Sequence, residues 1–337
     1  MLFYGVYFFM EVLALVLNII QQFFLKLFSV FFAMSVSVSG TIAPPSTENT
    51  IKPIDEDNVK LVFAAFGDTQ ISNYMFDRYQ SFSASMEDLH TSERMDAVIV
   101  AGDVAENGLA EEYQLVYEGL SGLENCRYIL SAGNHDIRLR SYKQAVSRFT
   151  ELSNALNNGV DPVSELHFSE VINGYKFIVL GSDKATFEEA YISDEQLAWF
   201  DSELAAENGH PTFVICHQPL KLTHDLPNTW GNGTNLNAGS VGDQSDAIKE
   251  ILLKYENVIF ITGHLHTGFG EASYETIDNL HIVNVPALSI GNKDGQYNGS
   301  GLGYIVEVYD DEVIFRARNL ETGEWLPDYD ETIVIAK

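Results

Sequence analysis

Five short polar clusters carry side chains that could do chemistry, and each follows directly on an apolar run: Gly67-Asp68-Thr69-Gln70, Gly102-Asp103-Val104-Ala105-Glu106-Asn107-Gly108, Gly133-Asn134-His135-Asp136, Cys216-His217-Gln218-Pro219 and Gly263-His264-Leu265-His266. Carboxylate, amide and imidazole groups recur in one structural context. Together they offer enough oxygen and nitrogen donors to hold two adjacent cations, which is the equipment for hydrolysing a phosphate ester. Taken singly the clusters say little, since a Gly-Asp after a strand is ordinarily a turn. Gly-His-Leu-His is more specific, because it sets two imidazoles on one tight loop.

The elements that must position these clusters are legible from periodicity. Leu61–Phe66 is a continuous apolar run, as a strand covered on both faces requires. Residues 74–90 read as a helix, Ala97–Ala101 as a strand, Ala110–Leu120 as a helix, Tyr128–Leu130 as a third strand and Ser141–Leu152 as a helix. Asn173-Gly174 between Glu165–Val171 and Lys176–Leu180 predicts a hairpin. Ser193 with Gln196 three residues on predicts a capping box opening a helix to Ala206. Thr212–Cys216 and Val258–Thr262 are further strands flanking a helix over Asp243–Tyr255, and the chain from Ala272 is strand-rich: two hairpins, then a last run Thr332–Ala336. Alternating strands and helices predict a largely parallel core sheet with helices outside, and the strand-rich end a second sheet. All five clusters then fall at the C-terminal ends of strands, where open α/β sheets bind ligands. Residues 221–245, rich in Asn, Gly and Thr, are too long for a bare connector and read as a lid or binding loop.

In this order the clusters resemble the calcineurin-like metallophosphoesterase superfamily over about residues 60–320. The resemblance implies an α/β fold, a four-layer α/β/β/α sandwich of two mixed sheets with a dinuclear metal site at the strand C-terminal ends. By the same resemblance Asp68, Gln70, Asp103 and His266 would hold one divalent ion and Asp103, Asn134, His217 and His264 the other, with Asp103 bridging. The mixed donors suit Mn, Fe, Zn or Ni better than Ca. A bridging hydroxide would attack phosphorus, His135 would protonate the leaving group, and Glu106 or Asp136 would orient the His135 imidazole. Two departures stand out. Gln70 occupies a position where the family usually has His, so a neutral amide oxygen replaces an imidazole. Glu106-Asn107 stands where the protein phosphatase branch has Asp-Arg, which removes a phosphate clamp and argues for a bacterial-type phosphoesterase.

Bulk properties narrow the substrate. The chain has 337 residues and a formal net charge of -29, so nucleic acid polymers are not expected partners. A small phosphoester, mono- or diester, such as a nucleotide or a lipid headgroup, remains open because local metal charge can outweigh the global field. His224 and Trp230, in the 221–245 stretch, are candidate substrate contacts; His90, His167, His210 and His281 match no cluster. Cys126 and Cys216 read as buried free thiols. Residues 1–40 are strongly apolar and end in small residues, which predicts a signal peptide or an N-terminal membrane anchor and an extracellular or outward-facing protein; 41–58 read as a linker and 59–337 as the catalytic domain, expected to be monomeric. The alternative of a different class is a non-catalytic metal-binding scaffold or surface binding module on the same fold.

Overall fold

The computed structural model of the chain describes residues 54–336, apart from 56, 93, 140, 207, 208, 231–234 and 236. The expected leader and most of the expected linker lie outside the described residues. The described end of that linker is folded onto the domain: Ile54 packs against the first core cluster, and the Asn58 and Val59 amides both donate to Asp55 O at 3.0 and 2.8 Å.

Two mixed sheets form the centre. The first contains β1 (Leu61–Phe66), β2 (Ala97–Ala101), β3 (Arg127–Ser131), β10 (Leu302–Val308), β11 (Glu312–Asn319), β12 (Glu324–Trp325) and β13 (Glu331–Val334), in the order β12-β11-β10-β1-β2-β3 with β13 on β11. The second runs β4-β5-β6-β7-β9-β8, from β4 (Phe168–Ile172), β5 (Tyr175–Val179), β6 (Thr212–Ile215), β7 (Val258–Thr262), β8 (Tyr274–Ile277) and β9 (Leu280–Asn284). In each, the strands that precede the polar clusters run parallel (β1-β2-β3, and β6-β7), so their C-terminal ends share one edge.

The alternation of side chains along β1 builds the layers. Leu61, Phe63 and Ala65 enter the core between the sheets, where Phe63 meets Phe177 and Phe213 edge-on at 5.6 and 5.0 Å. Val62, Ala64 and Phe66 face the other way, against Phe82, Met86 and Leu89 of α1 (Phe76–His90), with α2 (Ala110–Leu120) and α4 (Tyr142–Leu156) beside it. Ile178, Val214 and Phe260 on the far side of the second sheet pack on Phe200 of α5 (Asp194–Ala205) and Ile248 of α6 (Ser245–Leu252). Helix, sheet, sheet, helix is thus the four-layer sandwich expected. Each buried Phe or Ile contributes on the order of 1.5–3 kcal/mol, which explains why these runs are unbroken.

Local differences from the sequence reading have local causes. The Asn173-Gly174 turn adopts positive φ at both residues (51° and 88°), as a tight hairpin needs. Ser193 Oγ accepts from Gln196 N at 3.2 Å, but the Gln196 side chain does not return the bond; it is drawn to the Gly181 backbone and Asp183, so only half the capping box forms. A one-turn helix α3 (Asn134–Ile137), too short for periodicity to reveal, carries the third cluster. The 221–245 stretch is pinned at its described ends: Val241 N donates to Pro219 O at 2.8 Å and its side chain joins the third core cluster.

Candidate metal centre

The clusters lie just beyond β1, β2, β3, β6 and β7, and backbone bonds stitch them together. Asp68 N donates to Gly102 O (2.9 Å), Gln70 N to Asp103 O (2.8 Å) and Gly263 N to His217 O (3.0 Å). Asp68, Gln70, Asp103, His264 and His266 all have left-handed backbone, with φ from 38° to 73°. Such residues are costly to hold, about 1–3 kcal/mol each, and persist where the surroundings over-determine them, as functional sites do. Two glycines are required by close approach. A Cβ at Gly102 (φ +88°) would fall 2.3 Å from His217 Nδ1, and one at Gly133 would fall 2.1 Å from Asp103 Oδ1.

Donor atoms of Asp103, His217 and His264 lie within 4.8 Å of one another, and so do those of Asp68, Asp103 and His266. Asp103 belongs to both groups. Asp68 is fully buried and Asp103 is 1% exposed, and among the described residues their ion pairs run to histidines rather than to Lys or Arg. His266 Nε2 lies 3.0 Å from Asp68 Oδ1, and His217 Nε2 3.3 Å from Asp103 Oδ2. His217 Nδ1–H donates to Ala101 O at 2.8 Å, which leaves Nε2 as the donor atom facing the site. Gln70 Nε2 donates to Asp103 Oδ2 at 3.4 Å, and Asn134 sits between Gly133 and His135, which both lie against Asp103. The amide oxygens of Gln70 and Asn134, with His264 Nε2, are buried atoms without a hydrogen-bond partner.

The electrostatics describe a site short of positive charge. Burial would raise the Asp103 carboxyl, but the neighbouring His217, His135 and His264 hold it well below the usual range. Burial would lower His217, but Asp103 outweighs it and pushes that imidazole up to about 9. Burial and the adjacent His217 hold His264 far below an ordinary histidine. Two buried carboxylates, orphaned oxygens and lone-pair nitrogens make a donor set that divalent cations fit, since these supply the missing charge and take the unpaired acceptors.

Around this centre the other expected residues find distinct places. His135 Nδ1 lies 2.9 Å from Glu106 O and 3.4 Å from Glu106 Oε1. Both oxygens only accept and favour a hydrogen on Nδ1, against the Arg138 Nη2 that also faces it at 3.0 Å, and Nε2 turns toward Asp103, 3.9 Å from its Oδ2. Burial opposes charge on His135, yet Glu106 and Asp103 raise its pKa above the ordinary value. Of the two carboxylates expected to orient this ring, Glu106 makes the contact. Asp136 does not; its oxygens accept from the amides of Val104, Ala105 and Gly133 (3.1, 3.0 and 2.9 Å) and from Tyr113 Oη (3.1 Å), so it ties the second and third clusters together. Burial and the nearby Asp103 push the Asp136 carboxyl up to about 7.

A cleft of about 650 Å³ adjoins the centre, lined by Thr186, Phe187, Glu188, Glu189, Trp230 and Gly239, among others. Trp230 stacks on the His264 ring (4.5 Å, 19°) as well as lining the cleft. His224, expected at the substrate, is instead fully buried. Its Nδ1–H donates to Ala272 O at 2.7 Å, its amide donates to Glu275 Oε1 at 3.0 Å, and it lines no part of the cleft. Sequence reasoning missed Arg78, which bonds Gln70 O at 3.1 Å and also pairs with Glu106, and Arg138, whose Nη2 approaches His135 Nδ1 at 3.0 Å. It also missed the 186–189 stretch. No spacing or periodicity in the sequence pointed to the two arginines or to Glu188.

Comparison with known proteins agrees with this geometry. The sequence model of the calcineurin-like phosphoesterase family matches residues 61–268. A 3',5'-cyclic-nucleotide phosphodiesterase of Nostoc sp. is 26% identical over 210 residues, 62% of this chain and 68% of the relative. A probable glycerophosphodiester phosphodiesterase of Arcobacter nitrofigilis is 28% identical over 178 residues, 51% of this chain and 56% of its own length. Among solved structures, a purple acid phosphatase from yellow lupin seeds superposes over 81% of this chain and 53% of its own, at 14% identity and a TM-score of 0.53, a likeness of fold. This chain therefore spans about half of the glycerophosphodiesterase relative and of the plant phosphatase.

Proposed function

The chain belongs to the calcineurin-like phosphoesterase family and is a metallophosphoesterase, and from that premise we propose that it hydrolyses small phosphodiesters with two divalent cations at the Asp103-centred site. One observation carries this reading: Asp103 is common to both donor groups, and the amide oxygens Gln70 Oε1 and Asn134 Oδ1 are buried and unpartnered. Asp68, Gln70, Asp103 and His266 would hold one ion, and Asp103, Asn134, His217 and His264 the other; the donor mixture suits Mn, Fe, Zn or Ni. When bound, such ions lower the pKa of water to near neutrality and neutralise phosphoryl oxygens.

The protein's own groups supply the rest. His135 keeps Nδ1 on Glu106 and directs Nε2 toward the Asp103 side, where a proton on Nε2 can pass to the departing oxygen. Its raised pKa keeps that proton available nearer neutrality. Arg78 locks Glu106 behind it. A diester is favoured over a monoester by charge. Glu188 and Glu189 line the cleft, so a monoester dianion meets more repulsion there than a diester monoanion. The names of the two relatives, both phosphodiesterases, support the same choice.

The test compares bis(p-nitrophenyl) phosphate with p-nitrophenyl phosphate in added Mn. We expect kcat/KM for the diester to exceed that for the monoester by about tenfold or more, chelation to abolish both, and Asp103→Asn to cost about two orders of magnitude or more. A monoester preference would sink the diester assignment. Turnover indifferent to chelator and to Asp103→Asn would sink the reaction itself.

A further inference from the structure

Asn134 can serve a cation only through Oδ1, yet the two ends of a carboxamide are nearly the same size and shape. Something must decide which end faces the donor groups. The Asn134 Nδ2 donates to Glu188 Oε2 at 3.3 Å, while Oδ1 is buried with no partner. A carboxylate only accepts hydrogen bonds, so it binds the nitrogen end and excludes the flipped amide. We infer that Glu188 is the positioning residue that fixes Asn134 with its oxygen toward the second cation position, an inference that rests on the reading of the site given above.

Glu188 is itself held from several sides. Arg138 Nη1 lies 3.6 Å from its other oxygen, Oε1, and the Phe187 ring sits against the same guanidinium at 5.3 Å. The buried Gln218 side chain donates through Nε2 to the Glu188 carbonyl at 3.1 Å. This gives a role to the residue that follows His217 in the fourth cluster. Glu188 lies between β5 and α5, 54 residues from Asn134 in the chain. The Gln70 amide makes a parallel arrangement with a different acceptor. Its Nε2 donates to Asp103 Oδ2 at 3.4 Å and its Oε1 is orphaned. There the orienting carboxylate belongs to the donor set; for Asn134 it comes from outside the set. Glu188 belongs to neither donor group, and it would act on the site through the Asn134 amide. With its side chain 34% exposed, it can be replaced without opening the core.

The experiment is Mn(II) titration of the full chain, read by calorimetry and by electron paramagnetic resonance, with no substrate present. The wild type is expected to take two ions. Glu188→Ala should weaken one of them by about 10- to 100-fold, the range for loss of an outer partner of a metal ligand, and leave the other within about twofold. Glu188→Gln, whose Oε1 can still accept from Asn134, should recover most of that loss. In an Asn134→Asp background, where both ends of the ligand are oxygen, Glu188→Ala should cost nothing. Metal-free thermal unfolding of each variant, expected to match the wild type, separates this from a folding defect. Unchanged affinity for both ions in Glu188→Ala, or equal weakening in the Asn134→Asp background, would overturn the inference while leaving the proposed function standing. A wild-type chain that takes up no Mn would overturn the proposed function first.

Discussion

Asp103 concentrates the logic of the site in one side chain. It accepts from the His135 amide at 2.8 Å, faces His217, and belongs to both donor groups. The identities around it follow from how near they stand. Gly102 is flat against the His217 ring, and any side chain there would push the ring off its Ala101 bond as well as strain a backbone at φ +88°. Gly102→Ala should therefore lower stability by about 1–3 kcal/mol from the backbone alone and also displace His217. Thermal unfolding and Mn binding would both register it; a variant with wild-type melting and wild-type Mn affinity would show that the ring has room to move. At this scale the sequence was informative about donors. Asp68, Asp103, His217, His264 and His266 share the two donor groups, because each follows closely on a strand whose apolar run is plain. Gln70, one of two amides among the expected ligands, has its nitrogen held by Asp103.

Among the elements, the strands needed no tertiary information and the loops did. The 221–245 stretch was expected to touch substrate through His224 and Trp230, and of the two Trp230 lines the cleft. The described parts of the stretch serve mainly as a brace, with His224 turned inward to Ala272 and Trp230 laid on His264. That burial has a titration consequence. Loss of hydration pulls the His224 pKa down from 6.5 to about 4 in the folded chain. The unfolded chain therefore binds a proton near 6.5 that the folded chain refuses until about 4, so this residue erodes stability as pH falls through that window and has no effect above it. Denaturant unfolding between those pH values should show a slope that His224→Phe diminishes. A slope unchanged in His224→Phe would exclude this histidine as its source. Asp136 teaches the same lesson. Its place in a Gly-Asn-His-Asp cluster suggested a partner for His135, and the fold uses it to clamp three backbone amides across two loops.

For the whole molecule, 48 acidic against 19 basic residues leave a net charge of -29, and self-repulsion at that charge opposes the compact state. Raising salt from about 0.01 M to about 0.15 M shortens the Debye length from about 30 to about 8 Å, so melting temperature should climb with salt; a flat or falling curve would mean that local pairs such as Arg318–Asp88 dominate the balance. The sequence by itself determined the layers and the donors, because both rest on short-range signals: buried strands are continuous apolar runs, and each donor cluster is welded to the end of one. Tertiary structure decided which groups orient those donors. Glu188 reaches Asn134 across 54 residues, and Arg78 reaches Glu106 across 28, with no periodicity or spacing to announce either. Such partners are chosen by which loops the packed sheets bring side by side, and that adjacency exists only once the two sheets have closed on their shared core.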